Sequence, residues 1–72
     1  MMLPIFTGLK YGYCYETETG HYLLHDNDYK SHIYLQGDDA RIFRKQMELI
    51  DNLQNPENKT ILLTENIIGI YL

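Results

Sequence analysis

The residues best suited to chemistry sit in one stretch, "HYLLHDNDYKSH". It holds His21, His25, Asp26, Asp28 and His32, with the lone cysteine, Cys14, a few residues upstream. Imidazole, carboxylate and thiolate are the side chains that ligate transition metals. A thiol beside an imidazole is also the start of a nucleophilic site. Spacing argues against both uses. On a strand, His21 and His25 lie about 13 Å apart, too far to share one ion. A metal site would need His25, Asp28 and His32 to converge, and the register derived below puts His25 and His32 on opposite faces. No metal ligand is assigned. Cys14 lies inside a strand-like segment, where a cysteine behaves as a small buried hydrophobe. Ser31 has no nucleophile-elbow motif around it, and "QGDDA" is a helix start without the glycines of a phosphate loop. The sequence therefore points away from an enzyme and away from a cofactor.

The elements that hold these residues follow from hydrophobic spacing. Residues 11–36 alternate with period two and contain two turn signals, residues 40–53 carry helical spacing, and residues 60–72 have strand composition. The first turn is read as Glu18-Thr19-Gly20, with glycine in the left-handed position. That loop pairs Tyr15 with Leu23 and Tyr13 with His25. The second turn, "DNDYK", pairs Leu24 with His32, Leu23 with Ile33, and Tyr22 with Tyr34. Paired residues share a face. Tyr13 and Tyr15 then lie with Leu23, Ile33 and Leu35, while Cys14, Tyr22, Leu24, His32 and Tyr34 lie on the other side. A one-residue slip in either loop would exchange these sets.

The helical segment follows Gly37-Asp38-Asp39, whose carboxylates suit a helix N-terminus. Ile42, Phe43, Met47, Leu49, Ile50 and Leu53 are assigned to its buried side, with Arg41, Arg44, Lys45, Glu48 and Asn52 opposite. Asn55-Pro56 is read as its stop. In "TILLTENIIGIYL", a Glu65-Asn66 turn would join two strands, with Gly69 marking a bulge. Residues 1–9 form an edge strand or flexible arm, and Pro4 suits an edge.

The expected fold is α+β: one domain over residues 1–72, a small antiparallel β-sheet with one α-helix packed on one face, in the order β-β-β-α-β-β. One helix covers one face of such a sheet. The second face would hold Tyr22, Leu24, His32, Tyr34, Leu62, Ile67 and Tyr71, which is too apolar for solvent. These seven residues are the expected interface, and a homodimer or another protein the expected partner. A single cysteine allows no internal disulfide and suits a reducing, cytoplasmic setting. With no long apolar run, no membrane span is expected.

Ten acids against six bases give a formal net charge of −4. That balance disfavours nucleic-acid backbones, which need clustered bases. The alternative is a nucleic-acid-binding module that stacks bases on the sheet tyrosines and touches phosphate through Arg41, Arg44 and Lys45. The leading expectation is a non-enzymatic protein–protein interaction module, a small regulator or inhibitor of the kind that a virus or mobile element carries.

Overall fold

The computed structural model describes residues 1–53 and 57–72, with side chains for 1–53 and 60–72. Four strands come first: β1 (Met2–Thr7), β2 (Tyr11–Glu16), β3 (Tyr22–Asp26) and β4 (His32–Leu35). Two helices follow, α1 (Gly37–Asp51) and α2 (Glu57–Tyr71). The sheet is an antiparallel meander in chain order, β1-β2-β3-β4. The α+β class stands. The expected order β-β-β-α-β-β does not, because residues 60–72 lie in a helix and the strand before β2 is a full member of the sheet. The expected Asn55-Pro56 stop lies outside the described residues.

The register corrects the expected faces. Tyr15 pairs with Tyr22 and Tyr13 with Leu24, while Tyr22 pairs with Leu35 and Leu24 with Ile33. Each loop is closed one residue away from the expected pairing. The Glu16 N–H donates to the His21 carbonyl at 2.9 Å, and the Asp26 N–H to the Ser31 carbonyl at 3.0 Å. Gly20 takes the left-handed conformation in the first loop, and Tyr29 does so in the second. The two slips have opposite sense. Strands β2 and β4 therefore keep their expected faces and β3 alone turns over, because side chains alternate with period two. Tyr22 and Leu24 move into the core; Leu23 and His25 move out.

That core face carries Tyr13, Tyr22, Leu24 and Leu35, and both helices lie across it. Phe43 of α1 is fully buried, with the Tyr13 ring edge-on at 5.0 Å and the Tyr22 ring at 5.1 Å. Ala40, Met47 and Ile50 complete the buried stripe of α1. From α2, Ile68 is fully buried and Thr64 and Glu65 are buried beside it. Glu65 anchors this helix to the β1–β2 turn: its Oε1 accepts the Lys10 N–H at 2.6 Å and the Tyr11 N–H at 3.0 Å. Gly8 leaves the room this carboxylate needs, since a Cβ there would overlap it.

The edges of the sheet are blunted. Pairing of β1 shifts between Pro4 and Phe6, a bulge that bends an edge strand away from flat docking. Strand β4, at the other edge, has four residues.

Candidate interaction site

The residues expected to form one interface occupy three different places. Tyr22 and Leu24 are in the core, so neither stands on the surface expected from sequence. His32 and Tyr34 lie on the sheet face that no helix covers. Leu62, Ile67 and Tyr71 lie on α2, Leu62 exposed and the other two half-buried against the core.

The uncovered sheet face gathers most of the sites weighed for chemistry. His25 pairs directly with His32, so these two share a face, contrary to the expected register. The Cys14 Sγ lies 3.8 Å from His25 Nε2. The Nδ1–H of His25 donates to the Asp26 carbonyl at 2.7 Å, which leaves Nε2 as an acceptor for the thiol. Gly12 pairs with His25 and leaves space under its ring, where a Cβ would come within 3.0 Å. Tyr29 stacks on the other side of the imidazole, with centroids 4.1 Å apart. Burial pushes the Cys14 thiol above its ordinary value. A buried thiol held protonated is a poor nucleophile and a poor metal ligand. Its contact with His25 serves as an internal hydrogen bond. Among the described residues, no group of three or more His, Cys, Asp or Glu side chains could hold a metal ion.

Asp26, from the acidic loop, follows His25 and so belongs to the opposite, helix-covered face; it is occupied in closing its own turn, its carboxylate accepting the Lys30 and Ser31 N–H groups at 2.9 and 3.2 Å. The Tyr34 hydroxyl lies 3.1 Å from His21 Nδ1. Pro4, Cys14 and Leu23 share this face with His25, His32 and Tyr34, so it is mixed in character, with His25 and Tyr34 hydrogen-bonded within the chain.

The expected anion contact is dispersed as well. Arg41 pairs with Asp38 at 2.9 Å and Arg44 with Glu48 at 3.4 Å, both in the open, and Lys45 is exposed on the same helix. Tyr34 points from the opposite side of the sheet. Arginines and exposed tyrosine do not share one surface. Arg44 does border an open groove with Ile5, Tyr13, Tyr15 and Tyr22.

Exposed aliphatic side chains lie at the β1 edge, at Met2, Leu3 and Ile5, and on the helices. Ile42, Leu49 and Leu53, assigned from sequence to the buried side of α1, are exposed, Leu49 at 68%. Their neighbours Phe43, Met47 and Ile50 fill the core stripe and leave them on a flank. The flank they occupy faces α2. Arg44 and Asp51 lean the other way, the first bordering Tyr13 and Tyr15 and the second acting electrostatically on Tyr13. On the α2 side, Phe43 meets the Tyr71 ring at 6.1 Å, and the Asp39 charge adds to the upward push that burial gives the Tyr71 hydroxyl.

Helical spacing on α2 then places Ile67 nearest α1, followed outward by Leu63 and Ile70 and then Asn66. Ile70 is 82% exposed, and Leu62 and Leu63 are also exposed. Helical spacing thus places the exposed Ile42, Leu49 and Leu53 along one flank of α1 and the exposed Leu63 and Ile70 along one flank of α2. The sequence held a sign of it. Six large apolar residues in one amphipathic helix span more of its circumference than a single sheet face can bury.

No helix among the described residues is long and apolar enough to cross a membrane. Compared with protein-family models, curated proteins and solved structures, the chain matches none.

Proposed function

We propose that this chain is a non-enzymatic protein–protein interaction module, a small regulator or inhibitor, that docks through the exposed aliphatic flanks of α1 and α2. The observation that carries this reading is the exposure of Ile42, Leu49 and Leu53 on one flank of α1 and of Leu63 and Ile70 on one flank of α2. Exposed apolar surface of this kind marks an interaction site. The docking surface is therefore helical, in place of the tyrosine-bearing sheet face expected from sequence. A free, buried Cys14 fits a reducing compartment such as the cytoplasm.

The test is affinity capture from the native host with the wild-type chain and with the double variant L49E/I70E. Both positions are exposed, so a charge there disturbs docking without disturbing the core. Proteins retained by the wild type and lost by the variant support the reading. A capture profile identical for the two, together with an unchanged oligomeric state, overturns it.

A further inference from the structure

We infer that the tyrosine-floored groove between β1 and the charged side of α1 docks an extended, proline-rich peptide that carries a basic residue. This groove lies apart from the helical flanks described above, and its test does not depend on them.

The groove is lined by Ile5, Tyr13, Tyr15, Tyr22 and Arg44 and holds about 250 Å³. Its floor is aromatic because of the register of β2 and β3. Tyr15 pairs with Tyr22, their ring centroids 5.1 Å apart, and Tyr13 meets Tyr22 edge-on at 5.9 Å. One wall is β1, where Ile5 is exposed at the bulge. The other is α1, where Arg44, Glu48 and Asp51 follow in steps of four and three and so share one side of the helix. The space is smaller than the roughly 300–1,000 Å³ of a small-molecule site, and it is open to solvent. It suits a length of chain better than a cofactor.

The hydrogen-bonding groups select the kind of chain. The Tyr34 hydroxyl, on the uncovered sheet face, lies within bonding distance of His21 and Thr19, whereas those of Tyr13, Tyr15 and Tyr22 have no partner among the described residues. They are not sealed off either, since Gln46 Oε1 is the one sealed and unpartnered side-chain atom among the described residues. Burial keeps two of the three protonated, pushing Tyr13 up to about 12 and raising Tyr22. Arg44 can only donate. The lining therefore offers donors, and a matching ligand brings acceptors with few donors of its own. A prolyl segment does this, because each residue keeps its carbonyl and lacks the N–H. Such a segment also docks naturally in aromatic-lined grooves, and its extended helix is formed before binding, so little order is lost on docking. Addition of a strand to the neighbouring β1 edge is disfavoured by the bulge and by Pro4, which has no N–H to give.

Charge complementarity supplies the basic residue. Glu48 answers Arg44 at 3.4 Å, whereas Asp51 is paired with no cation among the described residues. The Asp51 charge acts on the Tyr13 hydroxyl, which places it beside the floor. The chain as a whole carries −4. A lysine or arginine flanking the prolines meets this field, and a flanking acid is repelled by it.

Fluorescence anisotropy with a labelled oligoproline bearing an arginine at each end tests this. The wild type is expected to bind it saturably, and to bind the same peptide with glutamate ends roughly fivefold more weakly. Asp51→Lys should abolish or reverse that preference. Tyr15→Phe removes one donor and should weaken binding roughly three- to tenfold, with the far-ultraviolet circular dichroism unchanged. Asp51 is exposed and Tyr15 half-buried, so neither change opens the core. A glycine–serine peptide with the same arginine ends should not bind. Equal binding of that peptide overturns the inference, because charge alone would then be read. So does the absence of saturable binding of the oligoproline, or binding indifferent to both Asp51→Lys and Tyr15→Phe.

Discussion

Tyr13 shows how burial on this sheet becomes a chemical property. Its ring lies between Phe6, Tyr22 and Phe43, and desolvation, with a smaller contribution from the Asp51 charge, pushes its hydroxyl up to about 12. Burial pushes the Tyr22 and Tyr71 hydroxyls up as well. A group that holds its proton more tightly when folded contributes stability that is intact below its unfolded value, near 10. That contribution is lost as pH rises through the folded value, because the unfolded chain ionises first. Urea unfolding followed across alkaline pH should therefore show stability falling between about pH 10 and 12. Tyr13→Phe should flatten that fall more than Tyr34→Phe, whose ring lies on the uncovered face. An equal effect from the two would mean that Tyr13 is not the buried phenol of the core.

Glu65 carries the same logic to the level of elements, for one carboxylate joins α2 to the first hairpin. It satisfies two backbone donors at the β1–β2 turn, in a place where Gly8 leaves it space. Glu65→Ala should cost about 1–3 kcal/mol in urea unfolding at neutral pH, since both donors lose their partner. Glu65→Gln retains an acceptor oxygen and should recover most of that loss.

The helix it anchors was hidden in the sequence by its own composition. "TILLTENIIGIYL" is rich in β-branched and large apolar residues on every side, so a period of two fits it as well as a period of 3.6. The deciding factor is tertiary. The sheet face beside α1 needs a cover, and Thr64, Glu65 and Ile68 supply it, with the Thr64 hydroxyl donating back to the Thr60 carbonyl at 2.9 Å. Helix α1 was legible because its charged residues mark one side clearly. The four strands were legible in outline, from alternation and turn residues. Their faces were not, because loop closure differed by one residue in each hairpin and β3 turned over as a result. The site was obscured for the same reason. Tyr22 and Leu24 left the presumed surface with β3, while Leu49 and Ile70 emerged once two helices shared a single sheet face.

At the scale of the whole molecule, the question is whether 72 residues can be stable alone. A chain of this size buries a smaller fraction of its surface than a larger domain does, and its margin is correspondingly thin. Its one cysteine is free, so no disulfide within the chain adds to that margin. All its strands lie in one sheet, and both helices are spent on one side of it. If the aliphatic flanks of those helices close against a partner, folding and association are coupled. Stability then depends on the partner's concentration, because mass action favours whatever state binds. The melting midpoint of the wild type should rise as a captured partner is added, and that of L49E/I70E should show no such dependence. Differential scanning fluorimetry over a titration series reads both slopes directly. A wild-type midpoint that stays fixed at saturating partner would mean that the folded flanks are not what the partner holds, and the core beneath Phe43 would then have to suffice without it.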